Sequence, residues 1–174
     1  MRRVLYSVAC SLDGYIARLD HSVDWLPEGG DYGLEASFAT VDTALIGRKT
    51  HDFMVKHGQF SMPGLENYVF SRNPAPPSYP GVHWVSTDAE ALVRKLKEQS
   101  GKDIWLIGGS DLAQTLFHAR LIDEVSLTII PVLLGDGIPL FPKIKFDIPL
   151  NLIEQKAYPD GVLTLRYSVS QPSS

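Results

Sequence analysis

Ile104-Trp105-Leu106-Ile107-Gly108-Gly109-Ser110-Asp111-Leu112 is the stretch whose reading decides the fold of this chain. An apolar strand runs into two glycines, then a polar helix start, then an apolar-periodic run as far as Phe117. Glycines at such a junction carry no Cβ and let a ligand or another backbone come close. Ser110 or Asp111 is placed to cap the following helix. The free N–H groups and the dipole at that helix start favour an anion such as a pyrophosphate. A second junction of the same kind, Gly47-Arg48-Lys49-Thr50, lies upstream between an apolar strand and a helix.

Strands and helices alternate on both sides of these junctions. Val4 to Cys10 is a buried first strand, Ser11-Leu12-Asp13-Gly14 a turn, and Tyr15 to Ala17 a short extended piece. Arg18 to Gly30 is polar, broken by Pro27 and a glycine pair, and long enough to act as a lid. Leu34, Phe38 and Val41 recur at helical spacing and predict a helix over Tyr32 to Val41. Thr43 to Ile46 is a strand, and Thr50 is placed to cap a short helix from His51 to Val55. Tyr68 to Phe70 is a strand closing at Ser71-Arg72, and Asn73 to Gly81, with four prolines, a surface loop. After His83 to Val85 comes an amphipathic helix over Asp88 to Gln99. Leu112 to Ala119 is a further helix, and Asp123 to Ile130 a β-branched strand. Leu150 to Lys156 and Val162 to Val169 alternate around Pro159-Asp160-Gly161, the pattern of a hairpin.

This order predicts an α/β fold with a mainly parallel central sheet and an antiparallel edge. It fits one domain over residues 1–170, with 171–174 a disordered tail. Ligands in such sheets bind outside the carboxyl ends of the strands. Gly47, Ser71, Ser86 and Gly108 all fall there.

At 174 residues and 44% hydrophobic, the chain can bury one sizeable core. A net charge of −4 argues against a general nucleic-acid binder. The single cysteine, Cys10, excludes an intramolecular disulfide and a multi-cysteine metal site, and fits a reducing compartment. Ser7, Ser11 and Asp13 interrupt the start of the chain before a signal h-region can form. No apolar run approaches the ~20 residues of a membrane span. The expectation is a soluble cytoplasmic protein without membrane contact.

In Gly47-Arg48-Lys49-Thr50, Thr50 and nearby N–H groups would hold phosphate and Arg48 would supply charge. The segment lacks the glycine spacing of a Walker A loop. Taken alone it is more simply a capped helix with two exposed cations. Ser71-Arg72, paired with Arg48, would bracket an extra monoester phosphate, the feature that separates NADP from NAD; by itself it is equally a solvated strand end. Asp13, Asp24, Glu28, Asp31 and Glu35 cluster near the first strand and the next helix. An acid there in an apolar cleft would orient or donate a proton, although each taken singly is a surface carboxylate. The five histidines show no metal-ligand spacing. No nucleophile elbow and no zinc-deaminase signature occurs.

Together these pieces resemble the dihydrofolate reductase fold, and especially the reductase domain of the riboflavin-biosynthesis deaminase-reductases. The resemblance runs in order through Ser11 to Ala17, Leu45 to Thr50, Tyr68 to Arg72, Trp105 to Ser110, Leu121 to Val125 and Pro131 to Gly137. It implies a single-domain, three-layer α/β/α fold with bound NADPH. Ala9 and Ile16 would contact the nicotinamide end, and Gly47, Arg48, Lys49 and Thr50 would hold phosphates. Phe70, Ser71 and Arg72 would lie around the adenosine and its 2′-phosphate, while Ile107, Gly108, Gly109, Ser110, Asp111 and Leu112 would cradle the pyrophosphate. Counting back from Gly47 without gaps places Asp31 at the substrate-orienting acid; a shift in the glycine-rich segment places Glu35 there.

The implied activity is an NADPH-dependent reductase acting on a small pyrimidine- or pterin-like substrate. It is most like 5-amino-6-(5-phosphoribosylamino)uracil reductase of riboflavin biosynthesis. Dihydrofolate reductase-type activity and a non-catalytic NADPH-binding module stay open beside it. The chain shows no deaminase half, as expected of a stand-alone member, and its Gly-Arg-Lys-Thr segment is closer to dihydrofolate reductases. The resemblance also implies a homodimer, with Ile129 to Leu134 and the terminal hairpin as candidate contacts.

Overall fold

Alternate residues of the apolar strands are buried against different helices, and this sorts the chain into three layers. A computed structural model describes residues 1–73, 79–86, 88–141 and 143–170. The elements run β1 (Val4–Ser11), β2 (Tyr15–Ala17), α1 (Leu34–Phe38), β3 (Val41–Gly47), α2 (Arg48–Lys56), β4 (Glu66–Phe70) and β5 (Val82–Val85). They continue α3 (Ala89–Glu98), β6 (Asp103–Gly108), α4 (Ser110–His118), β7 (Glu124–Ile130), β8 (Ile138–Pro139), β9 (Leu150–Ala157) and β10 (Leu163–Val169).

Eight strands form one sheet in the order β5-β4-β3-β6-β1-β7-β10-β9. The pairings from β5 to β7 are parallel; β10 and β9 close the sheet as an antiparallel hairpin. On one face Val4, Tyr6, Cys10, Leu45, Ile104, Leu106, Val125 and Leu127 pack against Val93 and Leu96 of α3 and Leu112, Ala113, Leu116 and Phe117 of α4. Their sequence neighbours Ala44 and Ile46, with Val69, meet Met54 of α2 on the other face. Each fully buried aliphatic side chain contributes about 1.5–3 kcal/mol against the entropy of folding. Tyr6 is buried completely; its hydroxyl donates to the Leu140 carbonyl at 2.9 Å, and its ring meets Phe117 edge-on at 5.8 Å.

Cys10 lies in this core, and burial pushes its thiol up to about 11. A raised thiol pKa favours the neutral form in the fold. That contribution is complete below the unfolded value and is lost as pH rises through about 11. Alkylation by iodoacetamide at pH 8 is therefore expected to be negligible in the native protein and complete in 6 M guanidinium. Rapid native labelling, followed by mass spectrometry, would contradict this placement.

Several boundaries differ from the sequence expectations. The helix predicted over Tyr32 to Val41 shrinks to α1, and Val41 opens β3 instead. No residue of α1 is buried, so no apolar face rewards a longer helix. α2 starts at Arg48, so Thr50 sits in its first turn and is not its cap. α4 starts at Ser110 with Gly109 as its N-cap, so neither Ser110 nor Asp111 caps it. β8, which pairs with β2, was not foreseen because two residues carry no periodicity. The predicted tail at 171–174 and most of the proline-rich loop fall outside the described residues. Among the described residues no helix is long and apolar enough to cross a membrane.

Candidate functional site

β3 and β6 are parallel neighbours, yet the chain leaves β3 toward β4 on one side and leaves β6 toward β7 on the other. This reversal is a topological switch point, where open α/β sheets bind ligands. The glycines explain how the two junctions fit there. A Cβ on Gly47 would lie 2.6 Å from the Gly109 nitrogen and 3.3 Å from the Gly108 oxygen. Cβ atoms on Gly108 and Gly109 would lie 3.7 and 3.5 Å from the Thr50 hydroxyl. Gly108 has φ of +138°, a conformation that side chains avoid, and the Gly108–Gly109 peptide is cis.

The N-termini of α2 and α4 thus sit side by side. Both helices have glycine N-caps and no side-chain capping bond. α3 behaves differently: Asp88 accepts from the Glu90 and Ala91 N–H groups at 2.9 and 3.2 Å. Two adjacent helix starts with no side-chain cap are an arrangement that suits a multiply charged anion.

A cavity of about 430 Å³ opens on the same sheet face as α2, beyond the cover of that helix. Ser7 of β1, Trp105 of β6, Ser126 and Thr128 of β7 and Thr164 of β10 line it, and Phe38 and Tyr32 wall it from the α1 side. At its lower end Glu124, only 3% exposed, accepts from Arg3 at 3.1 Å and from Arg166 at 2.9 Å. Arg166 also donates to Glu154 at 2.8 Å. The hydrogen bond to Glu124 raises the Arg166 guanidinium pKa further above its ordinary value, and Asp103 does the same for Arg3. At the mouth, the Tyr32 hydroxyl donates to Asp160 at 2.6 Å, and its ring meets Tyr158 edge-on at 5.2 Å.

Beside this geometry, the family described as RibD C-terminal domain matches residues 2–164. The chain belongs to the RibD C-terminal domain family. It is 36% identical over 165 residues to the uncharacterized protein YwjB of Bacillus subtilis (strain 168), covering 92% of this chain and 95% of that one. Among solved structures it is similar to a Shewanella sp. PV-4 protein named for riboflavin biosynthesis. That match has a TM-score of 0.84 and 27% identity, and covers 98% and 100% of the two chains. It shares its fold with the Enterococcus faecalis dihydrofolate reductase solved with NADP(H), at TM-score 0.73 and 18% identity, covering 97% of each chain.

Within this RibD C-terminal fold, Gly47, Thr50, Gly108 and Gly109 converge as the glycine contacts require. Arg48 opens α2, but its guanidinium is held by Asp52 at 2.7 Å and lies 5.3 Å from the Trp84 ring centre. Lys49 is exposed. Phe70 pairs in register with Gly47, which brings Ser71 and Arg72 to the neighbouring strand end. Ala9 pairs with Thr128 near the carboxyl end of β1, and Ile16 packs on the main core from β2. Ile107 packs against the α2 cluster, Ser110 and Asp111 lie in the first turn of α4, and the Leu112 side chain is spent in the core.

Asp31 and Glu35 do not line the cavity. Both are exposed, and Asp31 accepts from the Gly33 and Glu35 N–H groups at 3.1 and 2.7 Å, which caps α1. Sequence reasoning missed Ser7, Trp105, Glu124, Ser126 and Thr128. The available signal was the polar alternation Glu124, Ser126, Thr128 in an otherwise apolar strand, which marks one face of β7 as facing something other than core.

Proposed function

We propose that this chain is an NADPH-dependent reductase acting on a pyrimidine-like substrate, most like 5-amino-6-(5-phosphoribosylamino)uracil. The observation that carries the reading is the pair of glycine-capped helix starts meeting at Gly47 and Gly109, with a cavity of ligand size on the α2 face of the same sheet. The donor set fits a dinucleotide: N–H groups of two helices for the pyrophosphate, and Arg48 and Arg72 at adjacent strand ends for a 2′-phosphate. Thr50, Ser110 and the backbone of Gly108 to Leu112 would complete the cradle, with Phe70 and Ser71 beside the adenosine and Ala9 and Ile16 at the nicotinamide end.

When bound, the dihydronicotinamide supplies a hydride. The protein's own part is to orient the two reactants and keep water out. Ser7, Ser126, Thr128 and Thr164 offer hydroxyls to the substrate, and the segment before α1, tied to Asp160 by Tyr32, closes the mouth. Asp31 serves this arrangement by capping α1, and Glu35 sits on that short helix without entering the cavity. The same reading includes a cytoplasmic homodimer, for which light scattering is expected to give twice the 19.3 kDa chain mass.

The test is oxidation of NADPH, followed at 340 nm, with the phosphoribosylaminopyrimidine or 7,8-dihydrofolate as substrate. Stoichiometric oxidation with the pyrimidine, and little with dihydrofolate, is expected. Binding of NADPH without turnover of either would leave a nucleotide-binding module and overturn the reductase reading.

A further inference from the structure

Trp105 is the largest side chain facing the cavity, and it is fixed there. Its indole N–H donates to the Ser7 carbonyl at 3.1 Å. Phe38 meets the ring edge-on, with centroids 4.7 Å apart at 90°. One contact ties the indole to β1 and the other to α1, so the ring cannot swing aside without breaking both. Its flanking strand partners are Leu5 on β1 and Ala44 on β3. Along β6 it lies two residues from Ile107, on the face that leads to the Gly108–Gly109 cradle.

The rest of the lining defines what the indole faces. Ser7, Ser126, Thr128 and Thr164 contribute neutral hydrogen-bonding groups. Arg3, Glu124, Arg166 and Glu154 also line the cavity, matched with one another in a continuous chain of ion pairs, and Lys156 lines it with its ammonium 4.6 Å from the Tyr158 ring centre. Among the described residues, the only carboxylates in the lining are Glu124 and Glu154, and both are already held by guanidinium groups. A cationic ring would find no free carboxylate partner here. A neutral flat ring would find an aromatic surface and hydroxyls for its edge, at little cost in side-chain entropy because the indole is already locked.

We infer that Trp105 is the ring-stacking, specificity-determining residue of the substrate cavity, selecting a planar heteroaromatic ring that carries no positive charge. This rests on the reductase reading for the identity of the site.

The experiment uses the full chain saturated with NADPH and titrated with 5-amino-6-ribitylaminouracil, with ribose 5-phosphate as a probe lacking the ring. Trp105→Leu and Trp105→Phe are compared with the wild type by calorimetry and by tryptophan emission. The expected result is quenching by the pyrimidine in the wild type and affinity about tenfold weaker in Trp105→Leu. Trp105→Phe should recover most of that loss, NADPH affinity should stay unchanged in both variants, and ribose 5-phosphate should cause no quenching. Unchanged pyrimidine affinity in a folded Trp105→Leu variant that still binds NADPH would overturn the inference, as would equal loss in Trp105→Phe and Trp105→Leu. Failure of the wild type to bind NADPH would instead remove the cofactor reading; pyrimidine quenching that disappears in Trp105→Leu would then still support the stacking role.

Discussion

Gly47→Ala is expected to weaken NADPH binding at least about 100-fold while leaving the sheet assembled. Gly47 has φ of −70° and ψ of 149°, so alanine suits its backbone. The effect is purely one of space: the new methyl group would sit 2.6 Å from the Gly109 nitrogen, a main-chain atom that cannot rotate away. The starts of α2 and α4 must then move apart, and every N–H group that both helices aim at one anion loses its alignment. Overpacking of this kind typically costs about 1–3 kcal/mol of stability. Calorimetric titration beside thermal melting separates the two effects. A melting temperature lowered by a few degrees with binding lost fits the cradle; unchanged affinity would show that the helix starts do not act together.

Glu124→Ala is the second large effect. This carboxylate is 3% exposed and accepts from two guanidinium groups, which between them reach Asp103 and Glu154. Its removal leaves two cations facing each other across β7, which lies between β1 and β10, with no charge between them. Breaking a buried pair costs about 3–5 kcal/mol, and the partial exposure of Arg3 and Arg166 brings the expected loss to the lower end, about 3 kcal/mol. Glu124→Gln keeps an acceptor and should recover part of it. Urea denaturation reads both. A loss under about 1 kcal/mol in Glu124→Ala would mean that water screens the guanidiniums fully.

The parts of this molecule that were legible in the sequence are those built from local pattern. Ile104 to Asp111 and Leu45 to Thr50 each announce a strand, a glycine and a helix start, and the structure places both at the switch point. The hairpin was readable because Pro159-Asp160-Gly161 separates two alternating runs, and β9 and β10 pair around it. What stayed hidden depends on contacts between distant segments. The capping roles given to Ser110, Asp111 and Thr50 failed because the helices begin two or three residues earlier than periodicity suggests, on glycines that pack against each other. Counting could not choose between Asp31 and Glu35; neither lines the cavity, and Asp31 accepts from the α1 backbone. The buried acid of the cavity is Glu124, more than a hundred residues from Arg3, its partner. Trp105 looked like one more apolar residue in a strand; only Ser7 and Phe38 show that its ring is held toward an open cavity.

The most direct test of the cradle is the titration of NADPH and NADH into the wild type and into the Arg48→Ala, Arg72→Ala double variant. Each charge-assisted bond to a phosphate contributes about 1.5–3 kcal/mol, so the wild type should prefer NADPH by at least about tenfold. The double variant should bind both nucleotides with the weaker, NADH-like affinity. A wild type that binds neither nucleotide, or binds both equally, would contradict the account.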